Sequence, residues 1–249
     1  MLPLKDLERL LFIDIETAHG LADYNDLSEV MKKHWARRAR RELRLDEPPT
    51  PEQAEAAYYD RAAIPAEFGR VVCVSIGYLV VQQQQPVEIR LKSYYGTDER
   101  TLLASLVQLL HEHVGPNQYT WQRLCGHNIK EFDVPFLARR CLVHGLLPLP
   151  YVFNLYGMKP WDVPHVDTME LWKFGDYKSF TALELLAELL GIPSPKGDID
   201  GSQVSRVYWQ EEDLARIAHY CEQDVATTVN IMLRLSGYEP IIEHIRYSH

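Results

Sequence analysis

The sequence predicts an α/β fold, a strand-centred sheet with helices on both faces. Three observations predict it. Apolar runs of strand length occur at 10–15, 70–81 and 86–95. Segments with apolar residues at helical spacing alternate with them. Of the 249 residues, 46% are hydrophobic and 24% charged, an ordinary globular composition and not that of a disordered chain. The length suits one large core, and residues 1–249 read as a single domain.

The elements follow in order. Leu10–Ile15 reads as a buried strand with Asp14 at its end. Residues 27–45 read as a basic helix, and a second helix starts near Pro51, capped by Thr50. Region 18–69 is therefore an inserted helical segment or cap on the core. Arg70–Val81 and Pro86–Tyr95 read as a hairpin joined by Gln82–Gln85. No glycine marks that turn, which leaves its type open. Thr97 to about Val114 is helical, with Leu102, Leu103, Leu106, Leu109 and Leu110 on one stripe. Tyr119–Cys125 is the next strand, broken by Gly126-His127-Asn128, and a helix follows to about His144. Residues 145–164 are loop, and Val163–Asp167 is a short strand. Thr181 and Glu184 suggest a capping box for the next helix, with Gly191 at its C-terminal end. Lys196–Gln203 is a polar loop. Glu211–Leu235 is one long amphipathic helix, and 239–247 reads as a last short helix.

Composition excludes several function classes. The net charge is −9, from 35 acidic and 26 basic residues, which argues against a whole-surface grip on nucleic acid. A local grip is open, because a site that collects carboxylates around cations is acidic until they bind. Residues 1–20 contain no signal-peptide core. The longest apolar stretch, 71–81, is too short to span a bilayer, so no membrane partner is expected. Cys73, Cys125, Cys141 and Cys221 show neither zinc-site nor disulfide spacing. A reduced, cytoplasmic setting fits them.

Three features carry chemistry. Asp14 and Glu16, two apart on a strand, point to one face and repel unless a cation lies between them. Most such pairs are solvated turn residues. Asp133 closes Gly126-His-Asn-Ile-Lys-Glu-Phe-Asp133 near a helix start, where the dipole alone favours an acid. Asn128 there is a turn former or a substrate contact, and Phe132 is core or groove lining. In Tyr220-Cys-Glu-Gln-Asp224, Tyr and Asp share a helix face; Glu222 and Asp213 fall on other faces and read as solvated. Each feature alone has a plain structural explanation. Together they offer four oxygen ligands, a set suited to Mg²⁺ or Mn²⁺. Two such ions can clamp the attacking and leaving oxygens of a phosphodiester.

Phe12-Ile-Asp14-Ile-Glu16-Thr17, Asn128-Ile-Lys-Glu-Phe132-Asp133 and Tyr220-Cys-Glu-Gln-Asp224 resemble the three exonuclease motifs of the DEDD superfamily, tyrosine branch. The chain is most similar to stand-alone predicted 3′–5′ exonucleases related to the proofreading domain of family B DNA polymerases. Ala66-Glu-Phe-Gly-Arg-Val, His165-Val-Asp167-Thr and Lys196-Gly-Asp-Ile-Asp-Gly-Ser fit the same context. The resemblance spans about residues 10–235. Unlike a polymerase, the chain carries no synthetic domain and has the basic insertion. The resemblance implies a ribonuclease-H-like fold with a five-stranded mixed sheet. It implies that Asp14, Glu16, Asp133 and Asp224 hold two divalent cations, and that Tyr220 orients the attacking water. Thr17, Asn128 and Phe132 become substrate-binding residues. The implied reaction is 3′–5′ hydrolysis of single-stranded DNA to nucleoside 5′-monophosphates.

Other residues have weaker claims. Asp167 reads as an extra acid of the site or as structural. His127 and His165 read as hydrogen-bonded residues before phosphate contacts. Lys178 and Lys196 are candidate backbone contacts. An exoribonuclease with the same site is the alternative enzyme, although no reader of a 2′-hydroxyl stands out. An endonuclease would cut circular single strands. A non-catalytic nucleic-acid-binding module would be marked by loss of one acid, and all four are present with Tyr220. Between Val30 and Leu45 lie seven Lys/Arg (Lys32, Lys33, Arg37, Arg38, Arg40, Arg41, Arg44) against Glu42. This segment either meets phosphates or is solvated and paired with acids elsewhere. Replacing Arg37, Arg38, Arg40 and Arg41 with Gln should weaken binding of a single strand and flatten its salt dependence; an unchanged salt slope rejects the contact.

Overall fold

The structure, a computed structural model, describes residues 2–116, 119–176, 178–193 and 198–248. Lys196 lies outside them. Helix α1 (Leu4–Leu7) leads into β1 (Leu10–His19), and then come α2 (Glu29–Glu42) and α3 (Pro51–Arg61). Strands β2 (Gly69–Gln82) and β3 (Gln85–Tyr95) form the hairpin, followed by α4 (Glu99–His113), β4 (Arg123–Gly126) and α5 (Asp133–Val143). The chain continues through β5 (Val166–Asp167), α6 (Thr168–Lys173), α7 (Leu183–Leu189) and α8 (Val204–Arg206). It ends with α9 (Leu214–Leu235) and β6 (Ile245–Ser248).

The sheet has the order β5-β4-β1-β2-β3-β6. The pairs β1–β2 and β2–β3 are antiparallel; β1–β4, β4–β5 and β3–β6 are parallel. The mixed sheet with helices on both faces is an α/β fold consistent with the ribonuclease-H-like expectation. It has six strands among the described residues, one more than expected. The sixth is β6, where a helix was expected. Asn230 explains it: its side chain accepts the Ile241 N–H at 2.7 Å and donates to the Ile241 carbonyl at 3.0 Å. The Ile89 N–H then donates to His244 O at 2.9 Å. Both interactions hold the chain extended against the open edge of β3.

Strand periodicity divides the core. Leu11, Ile13 and Ile15 of β1 pack with Val74, Ile76, Leu102, Leu106 and Phe136, under α4 and α5. Leu10 and Phe12 pack on the opposite face with Val225, Val229 and Met232 of α9. Asp14 and Glu16 continue this second row, because alternate strand residues share a face. The protein therefore places both carboxylates under α9.

Several boundaries differ from expectation. Strand β1 runs on to His19, so Asp14 sits within it and not at its end. Strand β4 is confined to Arg123–Gly126, since Trp121 instead bridges Val114. Helix α7 has Ala182 at its N-cap with no side-chain cap, so the Thr181–Glu184 capping box is not formed. The Thr181 carbonyl is instead taken by His127 Nε2 at 2.8 Å. Helix α9 begins at Leu214, capped by Asp213, because Glu212 turns left-handed at φ 54°. In the hairpin turn, Gln83 and Gln84 both have positive φ (49° and 61°), the signature of a type I′ turn.

The helical segment leaves the sheet at His19 and returns at Gly69, which oppose each other in the β1–β2 register. Thr50 forms a capping box with Gln53. Trp35 is fully buried, and its indole N–H donates to Ala54 O at 2.8 Å. Of the basic residues, Lys32 pairs with Glu29 and Arg38 with Glu42, and Arg40 donates to the carbonyls of Leu45 and Asp46. Lys33, Arg37, Arg41 and Arg44 are exposed and form no ion pair among the described residues. Among those residues no helix is long and apolar enough to cross a membrane.

Glycine at position 77 sets how closely α9 approaches the sheet. A Cβ there would lie 2.7 Å from Leu91 Cδ2 and 2.8 Å from Val225 Cγ1. Gly77→Ala should cost about 1–3 kcal/mol by overpacking. Urea unfolding measures it, and unchanged stability would contradict the close approach.

Candidate active site

Three elements carry the candidate site. Strand β1 supplies Asp14 and Glu16 on the face under α9. Glu16 is only 6% exposed, and Asp14 is half-buried. A β-bulge falls between Glu16 and Thr17, and Thr17 is buried beside it. Helix α5 supplies Asp133 in its first turn. Its Oδ1 accepts the Ile15 N–H at 3.2 Å, which ties α5 to the strand between the two acids. Helix α9 supplies Tyr220 and Asp224, one turn apart, and both line the same cleft.

Cys221 belongs to the site as well, and its position inside the third motif was its only sequence signal. Its thiol donates to the Asp14 carbonyl and to Asp14 Oδ2, at 3.4 Å each. Ligand atoms of Asp14, Glu16 and Cys221 lie within 4.8 Å of one another, close enough to hold a metal ion. Burial pushes the Cys221 thiol well above its ordinary pKa, and nearby Cys73, Asp14 and Glu16 push it the same way. Its thiol proton is the one donated to Asp14.

The electrostatics are those of crowded acids. Burial raises Asp14 well above the carboxylate range, and Asp133 and Asp224 raise it further. Burial likewise raises Glu16, with Asp14 and Asp224 adding to the shift. Asp133 is pushed up to about 7, mainly by burial, although backbone N–H groups oppose it. Asp224 rises to about 6, mainly by burial, and Glu184 adds to it. The Tyr220 phenol is raised too, by burial first and then by Asp224, Glu16 and Asp14. No Lys, Arg or His among the described residues figures in these shifts. Buried carboxylates without a cationic side chain fit divalent cations as the missing charge.

The remaining candidates divide clearly. Asn128 adopts a left-handed φ of 63° and donates its N–H to Asp167 Oδ1 at 3.0 Å. Phe132 is half-buried against Phe136, with ring centroids 5.5 Å apart. Asp167 is buried and accepts backbone N–H groups from Asn128, Lys130, Met169 and Glu170, so it holds a loop and caps α6. His127 bridges Thr168 and Thr181, and His165 accepts the Leu124 N–H and donates to Val152 O. Lys178 is exposed. Glu222, expected to be solvated, is 4% exposed and accepts the Ser93 hydroxyl at 2.7 Å. Its face of α9 meets β3, which a single helix pattern does not reveal. A cleft of about 1090 Å³ ends on Tyr220 and Asp224, with Ala182–Leu185 and Ile199 among its walls.

The carboxylate shifts give a pH dependence with a definite sign. Raised acids stay protonated in the fold while the unfolded chain releases its protons near pH 4. The folded state then holds more protons, so stability falls as pH rises towards 7. In chelator, the Asp133→Asn/Asp224→Asn chain should melt above the parent at pH 8 and level with it at pH 3, below the unfolded pKa of both acids. Equal melting at both pH values would contradict the buried repulsion.

The model of a family described as predicted 3′–5′ exonuclease related to the exonuclease domain of PolB matches residues 62–249. That range contains Asp133, Tyr220 and Asp224. Asp14 and Glu16 precede it, and β1 carries them in from outside. No curated protein matches the chain. With the match covering most of its length, the chain belongs to this family of predicted 3′–5′ exonucleases.

Proposed function

We propose that the protein hydrolyses single-stranded DNA from its 3′ end and releases nucleoside 5′-monophosphates. Asp14, Glu16, Asp133 and Asp224 hold two divalent cations, Mg²⁺ or Mn²⁺. The observation that carries this reading is four acids converging from β1, α5 and α9 with no cationic side chain among the described residues to neutralise them. Bound there, the cations lower the pKa of water and neutralise charge growing on the phosphoryl oxygens.

The chain's own groups do the positioning. Asp133 is fixed by the Ile15 N–H, and Asp14 by the Cys221 thiol. Tyr220 is a phenol with a raised pKa, so it keeps its proton at neutral pH and acts as a hydrogen-bonding guide for water, not as a base. Thr17, Asn128 and Phe132 line the approach of the terminal nucleotide. The four cysteines are free and buried, which supports a reducing, cytoplasmic setting.

Oligonucleotides labelled at the 3′ or 5′ end, as matched DNA and RNA, test the reading with and without Mg²⁺, Mn²⁺ and chelator. Loss of the 3′ label as mononucleotide, stepwise shortening of the 5′-labelled strand, arrest by chelator and faster loss of DNA than RNA are expected. Faster loss of RNA would make the enzyme an exoribonuclease, and cutting of a circular strand would make it an endonuclease. Asp14→Asn should abolish turnover. Tyr220→Phe should lower kcat about a hundredfold, the cost of a misplaced reactant. Full activity in Asp14→Asn would reject the mechanism.

A further inference from the structure

The segment joining α6 to α7 presents aromatic rings to water for no reason of packing. Phe174 is 85% exposed and Phe180 is 65% exposed. Phe174 adopts φ 46° and ψ 34° at the end of α6. That left-handed conformation is costly for a bulky residue. The next residue, Gly175, also has positive φ, at 91°. The Trp172 ring meets Phe174 edge-on at 6.4 Å. Lys173, the residue before Phe174, holds its cation over the Phe180 ring, 4.2 Å from its centroid.

This ledge is anchored to the candidate site at both ends. The Lys130–Glu170 pair, at 2.7 Å, fixes α6 to the loop that carries Asn128. At the other end His127 holds the Thr181 carbonyl, directly after Phe180. Ala182 and Leu183 then enter the wall of the cleft that ends on Tyr220 and Asp224. That wall also carries Glu184, Glu188, Asp198 and Asp200. Among its described residues this wall has no Lys or Arg, so away from the proposed cations a cationic contact for the strand comes from neighbouring segments. Residues 173–180 carry Lys173 and Lys178 against Asp176, a local excess of positive charge on a chain of net charge −9.

We propose that this ledge is a stacking subsite for unpaired bases upstream of the 3′ terminus. Bases lie on Phe174 and Phe180, and Lys173 meets a phosphate between them. Such a surface tolerates any sequence, because every base has a π face, and it rejects duplex, whose bases are already stacked. The proposal rests on the exonuclease reading for the direction of the strand. Its chemistry specifies single-stranded nucleic acid as the occupant.

Fluorescence anisotropy with 5′-labelled dT12 tests it, using the full chain with Asp14→Asn to prevent turnover. Adding Phe174→Ala/Phe180→Ala should weaken binding at least about tenfold, given the size of base–aromatic stacking. Trp at both positions should retain affinity, whereas Leu should not, a contrast that a purely structural role would not produce. Lys173→Ala should lower the salt slope by about 0.7. The variants should share the parent's melting temperature. Unchanged dT12 affinity in the double Ala variant overturns the ledge, as does no measurable binding by the parent, or a blunt duplex bound equally well. Binding that depends on the ledge in a chain whose wild type hydrolyses nothing sinks the exonuclease reading alone. Normal hydrolysis with binding indifferent to both rings sinks the ledge alone.

Discussion

Repulsion among buried carboxylates is the constraint around which this structure is organised. Asp14, Glu16, Asp133 and Asp224 each lie where desolvation disfavours charge, and most also feel one another. An ordinary fold relieves such a cluster with Lys or Arg. This one does place Arg140 against the buried Glu99 elsewhere, yet among the described residues no Lys or Arg figures in the shifts of these four acids. Protonation relieves their charge at low pH, and near neutral pH a bound divalent cation would offset it, which is the basis of the proposed metal site.

The surrounding structure keeps those acids together despite the repulsion. Central placement of β1 in the sheet fixes the rise between Asp14 and Glu16 and turns both towards α9. Gly77 lets α9 lie close, and Val225, one residue beyond Asp224, packs at that contact. The Ile15 N–H grips Asp133 from the strand itself, and the Cys221 thiol grips Asp14 from the helix. Behind the helix, Glu222 is locked to β3 by Ser93, which accepts in turn from Ser75 of β2. Position and rotation of α9 are thereby determined on both sides of the acids.

Much of this was legible from the chain. Two-residue spacing on a strand and four-residue spacing on a helix are local rules, and they paired Asp14 with Glu16 and Tyr220 with Asp224 correctly. Capping at Thr50 and the hairpin at 82–85 were legible for the same reason. Features that depend on distant partners were not. Residues 239–247 looked helical, but Asn230 and the edge of β3 draw them out into a strand. Thr181 looked like a cap, but His127 holds its carbonyl. Glu222 looked solvated because nothing in its own helix shows that β3 covers it. Cys221 looked incidental because its contact is with a residue 207 positions away.

The proposed hydrolysis depends most on the capacity of the four acids to gather two cations. Counting bound Mn²⁺ by electron paramagnetic resonance on the intact chain, with a nucleoside 5′-monophosphate present, tests this most directly. Two ions per chain, lost together when Asp14 is replaced by Asn, are the predicted result. A chain that binds no Mn²⁺, or binds it equally well without the Asp14 carboxylate, would contradict it.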